Sequence, residues 1–496
     1  MAAKAAAPPQ PLVLRGHGSE VQALAFVPSE PSLLLAGDSS GCLRLWDVTT
    51  RRTLLHRRGG HSPRCGGVLG VAVLVSGTVI SQSRDGVLCV WRLHVTPEGA
   101  DHRGPQKHGD SDGASFTPSD SSFERRLVHL SSQPERRIAS SSYNFCVLSA
   151  LFVGQIDNSC RGLELVSVAG GEQGVAEIYN VQNGKQLSKV ELKSGVSAVP
   201  LAKTVSSCSA GQSDPPESSE SLACPKVGLV TALHLYEETR YGQVLLVVGY
   251  ESGAIALWRL VRLWELSKAA VERIACDAGG SGNDTKHIRP ELMQLVTQPD
   301  IKHAETVLAV KAQPMATSSK RLSHQFVSGG ADACAKCFTI EFGECTSFTG
   351  QRPNPAELSS FGMQSAARGS LSASFASLDK DSDSTSCQEM EMNPTAVGAT
   401  LSMRQEVRAP GASPISPGGF ASLVNWRGDG KVFAIGSWSG ILRLFDRKHL
   451  SLLAVLKYHT QSVTALEFQP GSSLLASASR DGTIALWPLY PSHRHK

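Results

Sequence analysis

The sequence lacks any strong excess of charge and any long apolar run. Its 48 Lys and Arg residues are balanced by 44 Asp and Glu residues, so the formal net charge is only +4. This balance gives no electrostatic reason to expect a nucleic acid or a membrane surface as a partner. No stretch approaches the roughly 18 uninterrupted apolar residues that a bilayer-spanning helix requires. Residues 1–11 are rich in Ala and Pro and lack a basic segment before an apolar core, so we expect a flexible N-terminus and no secretory signal.

Disulfide, metal and catalytic motifs are also lacking. The 12 cysteines show no framework spacing, which indicates reduced thiols and a protein of the nucleus and cytoplasm. Cys334 and Cys337 have the spacing of a redox or zinc motif, but they fall in a predicted strand, where residues i and i+3 point to opposite faces. No second such pair completes a zinc site. We therefore expect no enzyme activity, no metal and no cofactor.

An internal repeat dominates what the sequence does contain. Its clearest copy, near the C-terminus, opens at His459, continues through an Arg480-Asp481-Gly482 turn and ends at Trp487. Alternating apolar and small or polar residues within it indicate strands, and Gly after Asp or Ser indicates tight turns between them. Seven copies can be distinguished. They span about 12–48, 60–94, 143–187, 226–260, 303–340, 419–446 and 459–490.

Two copies keep a set of polar residues that resembles the set in WD repeats, and this resemblance implies a structural hydrogen-bond network. A catalytic Ser-His-Asp triad is the competing interpretation, which we disfavour because the set is tied to a repeated turn. The residues are His61, Ser81, Asp85 and Trp91 in the second unit and His459, Ser477, Asp481 and Trp487 in the last. Trp46 and Trp258 end two further units and are expected to be structural as well.

These observations predict an all-β fold: a seven-bladed WD40 β-propeller closed by an N-terminal strand, with long disordered loop insertions. The last unit stops after its third strand, whereas Leu12–Leu14 forms a spare strand before the first unit. We expect this spare strand to complete the last blade beside Leu486 and so to remove an exposed sheet edge.

The chain is longer than its seven repeat units require, and polar stretches account for the additional residues. Their composition does not bury enough apolar surface to offset the entropy of ordering, so we expect mobile loops. Apolar residues at near-helical spacing predict a helix over 261–274, and the last residues, 492–496, form a basic tail. The predicted insertions are 95–124, 204–225, 268–292 and 346–418.

In each unit, one residue lies two positions before the turn glycine or its equivalent. We expect these residues together to surround one mouth of the central channel. Trp438 is notable because its unit ends in Phe445, so Trp438 is not the structural Trp of the repeat. Trp and Arg are enriched at binding hot spots. We therefore predict partner contacts at Arg84, Glu251, Trp438 and Arg480. Packing of Trp438 against a neighbouring blade is the alternative.

Several stretches resemble the guanine nucleotide-binding protein subunit beta-like protein 1 family, which is related to ASTRA-associated protein 1 and to a plant WD-repeat protein controlling plasmodesmatal size exclusion. The stretches are 249–253 before Trp258, 443–445, 453–456 before His459, and 486–491. The resemblance implies a non-catalytic scaffold linked to maturation of PI3-kinase-related kinases or to an ASTRA-type chromatin assembly. Ser439 departs from the Asp that relatives tend to carry.

Other functional classes fit less well. A substrate receptor of a cullin–DDB-type ubiquitin ligase would carry a Trp-Asp-x-Arg ending, which residues 445–448 only approximate. A G-protein β subunit would need an N-terminal helix, which Pro8, Pro9 and Pro11 would break. We expect a monomer within a multiprotein complex, with PI3-kinase-related kinase chaperone factors or a ubiquitin-ligase adaptor as candidate partners.

Overall fold

The computed structural model describes most of the repeat units and part of what connects them. The described residues are 10–58, 60–96, 127–154, 162–192, 227–238, 243–260, 292–296, 303–314, 323–342, 399–408 and 422–489. Within these ranges the chain forms 29 β-strands and one short 3-10 helix, Pro63–Cys65. The predicted insertion 204–225, the predicted helix 261–274 and the predicted basic tail 492–496 lie outside them.

The strands form seven antiparallel sheets, the blades, which are numbered here from the first complete unit. Strand β1 (Leu12–Leu14) precedes them. Blade 1 contains β2 (Val21–Val27), β3 (Glu30–Asp38), β4 (Leu43–Asp47) and β5 (Arg52–Arg57). Blade 2 contains β6 (Gly70–Val73), β7 (Thr78–Gln82), β8 (Val87–Thr96), β9 (Leu127–Leu130) and β10 (Arg136–Ala139). Blade 3 contains β11 (Ser149–Val153), β12 (Leu163–Ala169), β13 (Val175–Asn180) and β14 (Gln186–Glu191).

The remaining blades follow in chain order. Blade 4 contains β15 (Val230–Glu238), β16 (Gln243–Tyr250), β17 (Ile255–Leu260) and β18 (Leu292–Val296). Blade 5 contains β19 (Val307–Ala312), β20 (Ser323–Gly330), β21 (Cys334–Phe342) and β22 (Ala399–Arg408). Blade 6 contains β23 (Leu423–Trp426), β24 (Val432–Gly436), β25 (Ile441–Asp446) and β26 (Leu452–Lys457). Blade 7 contains β27 (Val463–Phe468), β28 (Leu474–Ser479), β29 (Ile484–Pro488) and β1.

The N-terminal strand closes the propeller. Leu12 pairs with Leu486 and Leu14 pairs with Ile484, so β1 is the fourth strand of blade 7. Leu14 is buried and packs in a cluster that also contains Leu34 of blade 1. The predicted seven-bladed fold and its closure by an N-terminal strand are therefore confirmed, and no unpaired edge remains on β29.

The outer strands correct three predicted insertion boundaries. Strand β8 continues to Thr96, with Val95 paired to Val128, so the insertion predicted at 95–124 begins inside a strand. Likewise β18 begins at Leu292. The insertion predicted at 346–418 contains β22, which pairs with β21 along its length. The polar sequence of β22 concealed it, because an outer strand buries few side chains; among the residues of β22 whose side chains are described, Leu401 is the buried one.

Apolar side chains pack mainly between neighbouring blades. One cluster joins Leu33 and Leu35 of blade 1 to Val79 and Trp91 of blade 2. Full burial of such a side chain contributes about 1.5–3 kcal/mol. This packing fixes each blade at its angle around the central channel, and so fixes the turns that surround the channel mouth.

Candidate functional site

The predicted polar sets of blades 2 and 7 come together as hydrogen-bonded networks. His459 Nε2 lies 2.8 Å from Ser477 Oγ, which also accepts the indole N–H of Trp487 at 3.0 Å, and His459 Nδ1 lies 3.1 Å from Asp481. The second set has the same geometry: His61 lies 2.9 Å from Ser81 and 3.3 Å from Asp85, and Trp91 donates to Ser81 at 3.0 Å.

This geometry suits a structural network better than a nucleophile. Ser477 is fully buried, and its oxygen accepts from the indole of Trp487. Burial lowers the pKa of the His459 imidazole, and the neighbouring Asp481 only partly opposes that effect. In blades 2 and 7 the network therefore ties the turn to the third strand and satisfies buried polar atoms.

Two related networks were missed by the sequence reasoning. In blade 5, His303 lies 2.7 Å from Ser328 and 3.0 Å from Asp332. The signal for it was the spacing from Ser to Asp, which equals that of Ser477 and Asp481. In blade 1, His17 lies 2.9 Å from Asp38, and Trp46 donates to His17 at 3.4 Å.

Blades 3 and 4 diverge from this plan. Tyr179 occupies the Trp position of blade 3 and donates its hydroxyl to Glu177 at 2.9 Å. Ser141 donates to the other oxygen of the same carboxylate at 2.8 Å. In blade 4, Trp258 is buried, as a structural Trp requires. The repeat thus varies its polar chemistry while it keeps one large buried side chain in that place.

The inner strands of all seven blades surround a central cavity of about 420 Å³. Its wall includes Gln22, Ser149, His234, Lys311, Asn425 and Glu467. Arg84, Phe145, Trp438 and Arg480 line the same cavity from the turns and connections at one end. That end is the channel mouth that the turn residues were predicted to surround.

Exposed aromatic side chains gather at this mouth. Phe145 is 71 % exposed, Tyr143 is 63 % exposed and Trp438 is 44 % exposed. They are the exposed large aromatic side chains of the described residues, and Val147, also exposed, lies in the same segment as two of them. Tyr143 lies against Gly86, in the turn that carries Arg84. We call the residues Arg84, Tyr143, Phe145, Val147, Trp438 and Arg480 the mouth patch.

The segment before β11 presents three of these side chains on a fixed backbone. Buried and exposed side chains alternate along it. Ser142, Cys146 and Leu148 are buried, whereas Tyr143, Phe145 and Val147 are exposed. Asn144 donates to Val230 O at 3.0 Å and accepts from the Cys146 backbone at 3.1 Å. This exposed segment was not predicted, although the alternating Tyr-x-Phe-x-Val stretch of residues 143–147 is its signal in the sequence.

The predicted partner residues separate into two groups. The guanidinium carbon of Arg84 lies 4.3 Å from the centre of the Phe145 ring, and Arg480 lies 3.9 Å from Glu20. With Trp438 they line the mouth. Glu251 is not part of that lining; its carboxylate accepts the backbone N–H of Leu229 at 3.2 Å. Three of the four residues are therefore brought together.

No cluster of three metal-ligating side chains occurs within the described ranges. Cys334 and Cys337 are both buried free thiols, and Cys334 lies 3.1 Å from Glu406. Burial and the Glu406 carboxylate raise the pKa of the Cys334 thiol to about 12. A raised pKa reduces the fraction of thiolate, which is the form that acts as a nucleophile or a metal ligand. Among the described helices, none is long and apolar enough to cross a bilayer.

Comparisons with known proteins agree with this architecture. The WD domain, G-beta repeat family matches residues 9–47 and 450–488. ASTRA-associated protein 1 of Schizosaccharomyces japonicus is 23% identical over 482 residues, which are 96% of this chain and 98% of that protein. Guanine nucleotide-binding protein subunit beta-like protein 1 of Mus musculus is 23% identical over 500 residues, which are 99% of each chain.

A solved structure and a shorter match add to these similarities. The Cps50 (Swd1) β-propeller domain of Myceliophteria thermophila superposes with a TM-score of 0.51 at 11% identity, over 97% of this chain and 100% of that domain, and this similarity concerns the fold alone. ASTRA-associated protein 1 of Schizosaccharomyces pombe is 45% identical over 64 residues, 13% of this chain and 17% of that protein. The chain contains WD40 repeats and is similar along almost its whole length to proteins named ASTRA-associated protein 1 and guanine nucleotide-binding protein subunit beta-like protein 1.

Proposed function

We propose that this protein is a non-catalytic scaffold that binds a protein partner through the mouth patch. One observation carries the proposal: the exposed large aromatic side chains of the described residues gather at one channel mouth, beside Arg84 and Arg480. Aromatic residues and Arg dominate the energetics of protein interfaces. Exposed clusters of large apolar side chains are typical of interaction sites on soluble proteins.

The rigidity of the patch supports this role. Gln82 donates to Ser142 at 3.2 Å and to Cys146 O at 3.0 Å, and accepts the Leu148 backbone N–H at 2.6 Å. On the opposite side, Ser437 holds the turn of Trp438 by donating to Ile441 O at 2.8 Å. A surface that is fixed before binding loses less entropy when the partner docks.

The assembly itself is proposed from the relatives. Several that align over almost the whole chain are named ASTRA-associated protein 1. We therefore propose an ASTRA-type complex, in the nucleus and cytoplasm, as the setting. The chain also resembles the guanine nucleotide-binding protein subunit beta-like protein 1 family, and this resemblance implies a link to the maturation of PI3-kinase-related kinases. We propose this maturation as the process that the complex serves.

The test compares partners that co-purify with wild type and with two variants. The mouth variant carries Arg84→Ala, Trp438→Ala and Arg480→Ala. The control variant carries Leu452→Ala and Leu453→Ala, which truncate exposed apolar side chains on an outer strand. We expect quantitative mass spectrometry to show loss of at least one partner from the mouth variant and full retention on the control. Retention of every partner on a mouth variant that stays folded would contradict the proposal.

A further inference from the structure

Cationic side chains outnumber acidic ones in the described lining of the channel behind the mouth patch. Arg84, Lys311 and Arg480 line the cavity, whereas Glu467 is the acidic residue of its described lining. His234 adds no positive charge, because burial, together with the nearby Lys311, holds the pKa of its imidazole well below the ordinary value. Walls of low dielectric concentrate the field of such groups and attract an opposite charge.

The carboxylate of Glu467, which lines the same cavity as these cations, already accepts a hydrogen bond. Asn425 donates to the Glu467 carboxylate at 2.8 Å. Burial raises the pKa of Glu467, and Lys311 and Asn425 oppose that rise. Across the described residues, neither Lys311 Nζ nor the Arg84 guanidinium lies within ion-pair distance of a carboxylate.

Arg480 is only weakly paired. Its Nε atom lies 3.9 Å from Glu20, and both side chains are largely exposed. An exposed pair at this distance contributes little free energy. Arg480 can therefore exchange Glu20 for a carboxylate of a partner at small cost.

We propose, on the basis of the proposed function, that the segment bound at the mouth patch is an acidic stretch of protein. It places an apolar or aromatic side chain against Phe145 and Trp438. Its carboxylates pair with Arg84 and Arg480 at the rim, and one acidic side chain enters the channel towards Lys311. The apolar contact supplies buried area, and the charges select the sequence and accelerate association.

A single-stranded nucleic acid is the other polyanion that could use aromatic and basic residues together. Two observations favour the peptide. Apart from Arg84 and Arg480 at the mouth, the described lining of the cavity of about 420 Å³ carries one cation, Lys311, which suits one carboxylate side chain. The net charge of the whole chain is only +4, whereas phosphate backbones are bound by rows of Lys and Arg.

The test measures binding of labelled heptapeptides to the full-length protein by fluorescence anisotropy. One peptide has a central Phe flanked on each side by two Glu; in its two counterparts Gln or Lys replaces Glu. We expect the Glu peptide to bind at least about tenfold more tightly than the Gln peptide, and to weaken as salt rises from about 50 mM to about 300 mM. Arg84→Gln and Lys311→Gln should each weaken the Glu peptide about three- to tenfold and weaken the Gln peptide by a clearly smaller factor.

Lys457→Gln is the matched control, since Lys457 is exposed on the outer strand β26, and it should change neither affinity. Equal binding of the Glu and Gln peptides, preference for the Lys peptide, absence of Glu-peptide binding, or tighter binding of an oligouridine would each overturn the inference. The two proposals fail differently. The proposed function fails if the mouth variant keeps every partner. The acidic-segment inference fails if the mouth variant loses a partner that a variant carrying only Arg84→Gln and Lys311→Gln keeps.

Discussion

The guanidinium carbon of Arg84 lies 4.3 Å from the centre of the Phe145 ring. Arg84 belongs to the turn between β7 and β8 of blade 2, and Phe145 belongs to the connection that leads into β11 of blade 3. The contact therefore joins two neighbouring blades at the channel mouth. It also holds the cation and the aromatic ring beside each other where a partner would meet both.

The first prediction concerns the strength of that contact. A cation over an aromatic ring at an exposed site contributes about 0.5–1 kcal/mol. Arg84→Ala, Phe145→Ala and the double variant should therefore give a coupling of that size in the free energy of unfolding, measured by urea denaturation. Arg480→Ala combined with Phe145→Ala is the control pair and should be additive. A coupling of zero between Arg84 and Phe145 would show that the contact does not persist in solution.

The second prediction contrasts two tryptophans. Trp487 is buried and donates to Ser477, whereas Trp438 is 44 % exposed. Trp487→Ala should lower the free energy of unfolding by about 3–5 kcal/mol, the range for large-to-small changes in a core. Trp438→Ala should lower it by less than about 1 kcal/mol, as is usual on a surface. If chemical denaturation gave the two variants equal stability, the assignment of structural and partner-binding Trp would be wrong.

The third prediction concerns closure. Leu14 is buried, and β1 supplies the outer strand of blade 7. Deletion of residues 1–16 should cost at least about 3 kcal/mol, because it exposes an apolar cluster and leaves an unpaired strand edge. Deletion of residues 1–9 is the control and should leave the midpoint of thermal unfolding unchanged. A wild-type midpoint after the longer deletion would mean that β1 contributes nothing to the stability of the propeller.

The fourth prediction is a pH dependence at Asp38. Burial would raise the pKa of its carboxyl, but hydrogen bonds from His17, Ser40 and the Cys42 backbone outweigh burial and lower the pKa to about 2, from an ordinary value of 3.8. A depressed folded-state pKa gives stability that is present above the unfolded pKa and is lost as pH falls towards the folded one.

Asp38 should therefore contribute on the order of 2 kcal/mol above about pH 4 and lose that contribution as pH falls to about 2. Urea midpoints of wild type and Asp38→Asn, measured at stepwise pH, should converge across this window. A difference in stability between the two proteins that stays constant with pH would contradict the assigned pKa.

The sequence by itself determined the fold. Period-2 alternation, turn glycines and a repeated His-Ser-Asp-Trp spacing were enough to predict seven blades, and the truncated last unit was enough to pair Leu12–Leu14 with the strand of Leu486. This was achievable because the contacts within one blade join residues that are close along the chain, so each blade leaves a local pattern. The outer strand β22 was not predicted for the converse reason. Few of its side chains are buried, so its sequence resembles that of a loop.

Only the tertiary structure decided which exposed residues share a surface. Phe145 and Trp438 belong to different units, and no local pattern relates them; they meet at one mouth because all seven blades converge on a single axis. The same packing placed Lys311 inside the channel and let the carboxylate of Glu251 turn back to its own backbone neighbour Leu229. The sequence pattern of a strand predicts whether a side chain is buried within its own blade. A binding surface depends instead on the distances between blades, and these are set by how the sheets pack.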